Sequence, residues 1–310
     1  MNKKEQPKKP MTPEQLQMAN AKLMDHLQKQ NFGSIEEVQE FLKKNMTGKP
    51  IDEIVPVKKG KLTKKEKADE LMYQAYETDS DKGKQLAEEA LMLNPSNLNA
   101  MIYLADLKES AEEAIALYKQ AMDIAEKEWG SDFMEESRGH FWLINETRPY
   151  MTAKLSYADC LHAIGKEKEA IKEYNELLEL NPNDSQGVRF ILNRVLLQCR
   201  KYNEFEELLK KYDDEPGASW LFNYALFLFE TKGPSADAYR ALSAADKANR
   251  HVIPFITAQK KITTEPDGYF SPGDEREATY YLMENLYTWQ SYPGTLDWIF
   301  NYLERKKKKN

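Results

Sequence analysis

Residues 139–150 read Gly-His-Phe-Trp-Leu-Ile-Asn-Glu-Thr-Arg-Pro-Tyr and concentrate several kinds of side-chain chemistry. Arg148 carries a planar guanidinium fork that suits a carboxylate or phosphate on a bound partner. Phe141, Trp142, Leu143, Ile144 and Tyr150 are large and apolar, so the segment is not expected to lie free in water. Two arrangements satisfy that constraint. In one, the aromatic side chains plug the body of the protein, and Glu146 and Arg148 pair with each other or with helix ends. In the other, Trp142, Glu146, Arg148 and Tyr150 form a wall of a binding groove. His140 and Glu146 are an acid–base pair in type only. No nucleophile–base arrangement accompanies them, so catalysis is not expected. Cys160 and Cys199 sit in helical patterns and the four histidines are scattered, with no H-E-x-x-H or C-x-x-C spacing. Neither a metal site nor a cofactor is expected.

The elements that must position these residues announce themselves between Met151 and Asp184. Ala158, Leu161, Gly165, Ala170, Tyr174, Leu177, Leu180 and Pro182 fall at places 8, 11, 15, 20, 24, 27, 30 and 32 of a unit of about 34 residues, the tetratricopeptide period. Small Ala158 and Ala170 let two helices approach, Gly165 turns the chain between them, and Pro182 ends the second helix. Such a unit cannot bury its apolar face alone and must stack on neighbours. The spacing therefore predicts an all-α, tetratricopeptide-type right-handed solenoid of about five to six helix pairs.

Breakers along the chain place the pairs. A basic tail, 1–11, is expected to be disordered. A helical hairpin spans 12–46, opened by Thr12-Pro13-Glu14 and by Ser34 with Glu37. Residues 47–62 have the Gly, Pro and Lys content of a linker, and the solenoid runs from 63 to 305, ahead of a second basic tail, 306–310. Helix pairs are predicted at 63–78 with 82–93, 97–108 with 110–127, 150–164 with 166–180, 185–199 with 203–211, and 218–231 with 235–248. Place 27 falls on Ala90, Ala121 and Leu177; the second interval is too long by about 22 residues, which marks 129–149 as an insertion. A looser stretch, 249–273, precedes two closing helices near 275–290 and 294–305. The aromatic run Trp220, Phe222, Tyr224, Phe227 and Phe229 is expected in the core, and the aromatic-rich end is expected to dock on the fifth pair, the simpler alternative to a dimer contact.

Charge adds a further possibility. The chain carries a net charge of −7, yet residues 1–67 hold 15 Lys against 9 acids and residues 305–310 hold five cations, leaving the stretch between them strongly acidic. Basic ends of this kind can be steered to nucleic acid, ribosomes or anionic lipid. No aromatic residue interleaves either cluster, which argues against base stacking. The Lys-rich start lacks an apolar segment of the signal-peptide kind, and no apolar run is long enough to span a bilayer. Lys307-Lys308-Lys309-Asn310 matches a di-lysine retrieval signal and is taken as chance. The expected compartment is the cytoplasm.

Several motifs also resemble a known group. Gly-His-Phe-Trp (139–142), Glu-Thr-Arg-Pro-Tyr-Met (146–151), Asn-Pro-Asn-Asp with Gln-Gly-Val-Arg (181–189), Asn-Arg-His-Val-Ile-Pro (249–254) and Ser-Pro-Gly-Asp-Glu (271–275) with Glu277, Ala278 and Trp289 are similar to bacterial tetratricopeptide proteins related to the suppressor-of-tumorigenicity-seven family. The likeness covers roughly 70–303 and leaves the N-terminal hairpin outside. It implies an all-helical scaffold with no established reaction. The membrane segments of eukaryotic members are not matched here. In tetratricopeptide grooves an Asn on the first helix of a pair often bonds a peptide backbone, which makes Asn223 a partner-binding candidate. Asn193, Arg189 and Lys154 are further groove candidates. The function expected from the whole is a non-enzymatic adaptor for a protein or peptide. The alternatives are a nucleic-acid- or ribosome-associated factor and, third, a hydrolase using His140 and Glu146.

Overall fold

The computed structural model describes residues 12–30, 32–46, 61–213, 215–262 and 270–308. The expected tail 1–11, most of the expected linker and residues 309–310 lie outside the described residues. All regular structure among the described residues is helical. The chain divides into two compact units, 1–185 and 186–310.

Local chemistry sets most helix starts in the first unit. α1 (Pro13–Lys29) opens on a capping box: Thr12 Oγ1 accepts from the Gln15 amide at 3.2 Å, and Gln15 Oε1 accepts from the Thr12 amide at 2.9 Å. α2 (Ile35–Met46) opens beside Ser34, whose hydroxyl accepts from the Glu37 amide; the Glu37 carboxylate turns back to the Gly33 amide. Thr63 with Glu66 repeats the capping box for α3 (Lys64–Ala75). Asp79, Asn97 and Ser110 cap α4 (Ser80–Leu93), α5 (Leu98–Asp106) and α6 (Ala111–Glu136). α7 (Arg148–Ala163) and α8 (Glu167–Leu180) follow.

Each helix from α3 to α7 packs on its successor, and α7 also packs on α5. Small residues make the approach possible. Ala68, Ala75, Ala87, Ala90 and Ala100 are all buried around Met72. Two of these hairpins share a polar clasp. Tyr118 on α6 donates its hydroxyl to Asp106 at the end of α5, and Tyr174 on α8 donates to Asp159 on α7 at 2.6 Å. Asn94 and Asn181, each followed by Pro, end α4 and α8 as anticipated.

The insertion begins differently from expectation. Trp129 still belongs to a helical stretch, Gly130 breaks it with φ +77°, and the helix resumes to Glu136. Only a glycine adopts that backbone cheaply. Residues 141–143 and 145–147 then form two 3₁₀ turns. Arg148 and Pro149, both expected inside the insertion, are the first turn of α7, where proline is preorganised for helix.

The second unit contains α9 (Val188–Gln198), α10 (Tyr202–Lys211), α11 (Ala218–Lys232), α12 (Ala236–Ala248), a short α13 (Val252–Ile256), α14 (Glu275–Ser291) and α15 (Thr295–Lys307). α9 packs on α10 and α11, and α11 packs on α12. Phe205, which takes a place where a small residue is usual, is fully buried 5.0 Å from the Phe227 ring. α14 lies on both α9 and α11, the first helices of two successive hairpins. Trp298 of α15 stacks on Phe229 at 4.5 Å and on Trp289 at 6.3 Å. The aromatic end thus docks on the α11–α12 pair, as its composition suggested.

Candidate functional site

The inserted segment is anchored by rings. Trp129 lies 5.6 Å from Tyr150 and 5.4 Å from Phe133, and Phe141 sits 5.8 Å from Tyr150. Phe141 and Tyr150 are buried. Edge and tilted contacts of this kind add to the gain from burial. Thr147, with no exposed surface, closes the two turns by donating its hydroxyl to the carbonyls of Phe141 and Ile144. The Tyr150 hydroxyl donates to Glu126 at 2.8 Å. Burial, and then that carboxylate, push its pKa well above the ordinary tyrosine value.

On this base stands an outward edge. Arg148 donates through Nε to the Trp142 carbonyl at 2.9 Å, and its guanidinium lies 5.4 Å from the Trp142 ring centroid. Trp142 and Arg148 are half-buried, Glu146 is exposed, and Leu143 is 67% exposed. Among the described residues no carboxylate pairs with Arg148, so the expected pairing with Glu146 is not made. The outer nitrogens of the fork remain able to take a carboxylate. The structure therefore joins Trp142 and Arg148 in one stacked pair, sets Glu146 in the adjoining turn, and places Tyr150 beneath them.

The other candidates are engaged inside the protein. Lys154 is buried between Glu173 and Glu176, with Nζ 3.0 Å from Glu176 Oε2. Arg189 holds Glu215 at 2.9 Å and lies over Phe190. Asn223 is fully buried in the second unit. Its amide donates to Asn193 Oδ1 at 2.8 Å and Asn285 Oδ1 at 3.1 Å, and its oxygen accepts from the Tyr281 hydroxyl at 2.9 Å. Trp289 Nε1 donates to Tyr281 at 2.7 Å. Both amide hydrogens of Asn223 are thus committed, and α14 covers the face that a peptide would need. The signal for this lay in the sequence: Tyr281, Asn285 and Trp289 are spaced by four on one helix face, a polar residue between two aromatic ones.

His140 is exposed, with Nδ1 3.2 Å from the Arg138 carbonyl. Two shallow clefts, of about 480 and 390 Å³, are lined elsewhere, the first by Lys65, Asn94 and Lys127, the second by Leu286, Pro293 and Leu296. Among the described residues no group of three His, Cys, Asp or Glu side chains is disposed to hold a metal. No helix there is long and apolar enough to cross a membrane. At the C-terminal end Lys306 binds Asp246 at 2.6 Å and Arg305 stacks on Tyr239, so two of the terminal cations are spent internally.

Successive packed hairpins, one carrying an aromatic insertion, define a helical-repeat-like, all-α protein. Within that class the chain belongs to the family described as ST7 protein, whose model matches residues 60–305. A search of the curated proteins gave no match. The family match takes in all the resembling motifs between Gly139 and Trp289 and leaves α1 and α2 outside. Two of those motifs meet in space. The buried Glu277 carboxylate accepts from the Asn249 amide at 2.9 Å, the Gly273 amide at 2.6 Å and the Ala218 amide at 2.9 Å. Asn249 and Gly273–Glu277 thus knot the loops around α11 and α14, which is a structural task.

Proposed function

We propose that this member of the ST7 family is a non-enzymatic, tetratricopeptide-type scaffold that binds a protein or peptide partner. The reading rests on one observation: Arg148 stacks on Trp142 with no carboxylate partner, beside a Leu143 side chain that is 67% exposed on a ring-anchored base. A rigid aromatic beside an Arg that lacks a carboxylate partner is the kind of anchor that dominates binding energy at protein interfaces. The apolar Leu143 enlarges it, and Glu146 supplies a rim charge. The period of 34 residues and the buried small residues at hairpin crossings support the tetratricopeptide assignment. Among the earlier candidates Asn223 enters this reading as an internal rung, and Tyr150 as the floor of the insertion. A cytoplasmic setting is part of the same proposal.

The test is quantitative capture from native cytosol with the wild-type chain and with a Trp142→Ala, Leu143→Ser double variant. At least one partner should fall tenfold or more in yield. Identical partners at identical yield from both chains would refute the assignment.

A further inference from the structure

α1 divides its surface between two tasks. Leu23 and Leu27 pack with Phe32, Val38, Phe41 and Leu42 of the N-terminal hairpin. Met18 instead enters the core around Met72. Gln15 and Ala19, on the same side, are buried as well. Lys22 Nζ lies 3.0 Å from Glu70 Oε2 and 4.7 Å from the Tyr73 ring centroid, both on α3. α1 also touches the 3₁₀ turn at 145–147, the rim of the insertion.

The boundary of the family match runs between the two sides of this contact. Every residue on the receiving side, in α3 and in 145–147, lies within the family match, which begins at residue 60, and all of α1 lies outside it. The α1–α3 contact therefore joins a helix outside the family match to a surface inside it. The contact is also slight. Among the described side chains of α1, Met18 is the long apolar one in that core cluster. The Lys22–Glu70 pair is about half exposed, a setting in which ion pairs contribute roughly 0–1 kcal/mol.

We infer that α3 and the 145–147 turn form a docking site for an amphipathic helix, and that α1 is its resident, displaceable occupant. The partner it fits is a helix carrying Met18-Ala19-x-x-Lys22 chemistry: a flexible apolar side chain beside a small one, with a cation one turn later to meet Glu70 and Tyr73. Tethering keeps α1 at an effective concentration of about millimolar, so an incoming helix must bind more tightly than α1 does. This inference rests on the reading that the chain binds proteins, and specifies the ligand as a helix.

The experiment uses the full chain and a fluorescent peptide of residues 12–30. Met18→Asp with Ala19→Asp in the chain should release α1, and the wild-type peptide should then bind at least tenfold more tightly than it binds the wild-type chain. Adding Glu70→Lys to the released chain should weaken binding of the wild-type peptide about fivefold, and a peptide carrying Lys22→Glu should recover it. Amide exchange at 68–75 should quicken in the released chain and slow again with peptide. Equal peptide affinity for the wild-type and released chains, or no binding to a released chain that keeps its helical circular dichroism, would overturn the proposal. Because no cellular partner is involved, that failure is separate from a failure of the Trp142, Leu143 test.

Discussion

Tyr281 donates its hydroxyl to Oδ1 of Asn223 across 2.9 Å, joining α14 to α11 in a site without water access. Trp289 feeds the same hydroxyl, and Asn193 and Asn285 take both amide hydrogens of Asn223. Asn223→Ala leaves a buried phenol without its acceptor and two buried amide oxygens without their donor. Each such orphan costs about 1–3 kcal/mol, less what local rearrangement recovers. We expect a loss of about 2–4 kcal/mol, read as a lower urea midpoint with an unchanged slope. Tyr287→Ala on the exposed face of α14 should cost under about 0.5 kcal/mol.

The position of Asn223 shows where reading a sequence succeeds and stops. Its helix was recognisable because apolar residues surround it on all sides, and the bounds 218–231 differ from the observed Ala218–Lys232 by one residue. Breakers such as Asn94-Pro95 and Asn181-Pro182 act locally, so they could be read one at a time. The occupant of the Asn223 face comes from 58 and 62 residues away, and no local pattern encodes which helix returns to cover another. The insertion shows the same divide. Its aromatic content forecasts burial, and Phe141 and Tyr150 are buried, whereas the partner of Arg148 is a backbone carbonyl, that of Trp142, presented by a 3₁₀ turn that no side-chain pattern encodes.

Lys154 offers an asymmetric test of the buried charges. Its side chain is 5% exposed, whereas Glu173 and Glu176 are 17% and 29% exposed. Removing both carboxylates with Glu173→Gln and Glu176→Gln strands an ammonium group away from water and should cost about 3–5 kcal/mol. Lys154→Met keeps the packed stem and leaves carboxylates that reach solvent, so its cost should be about 1–2 kcal/mol. Thermal or urea unfolding of the two variants decides the order. A Lys154→Met protein less stable than the double Gln variant would contradict the burial argument.

Gly130 separates a backbone requirement from a packing one. Its φ is +77°, and a Cβ there would meet nothing within 4 Å. With ψ 167° this is backbone that glycine alone adopts readily, so Gly130→Ala should cost only conformational strain, about 1–3 kcal/mol. Gly83 has an ordinary φ, but its Cβ would fall 1.9 Å from the Tyr103 hydroxyl and 3.0 Å from the Ala75 carbonyl oxygen. Gly83→Ala must displace a ring or part α3 from α4. The companion change Tyr103→Ala should relieve Gly83→Ala in part and leave the cost of Gly130→Ala unaltered. A double-mutant cycle in urea measures both couplings.

Alkaline pH should unfold the protein through its buried phenols. Tyr118, Tyr150, Tyr281, Tyr292 and Tyr302 all have pKa values raised above 10.0, with burial the largest cause in each. For Tyr118, Tyr150 and Tyr302 a hydrogen-bonded carboxylate, Asp106, Glu126 and Asp246, raises it further. In the unfolded chain these groups lose their protons near pH 10; in the folded chain they keep them longer. The native state therefore binds more protons above that pH, and stability that is complete below it falls as pH rises. Each tyrosine contributes about 1.4 kcal/mol per pH unit, so five contribute about 7 kcal/mol per unit once the unfolded phenols have ionised. The buried set should ionise in one sharp step, with tyrosinate absorbance rising as helical circular dichroism disappears. A smooth titration of every tyrosine with the helical signal intact would show that these hydroxyls are not held as described.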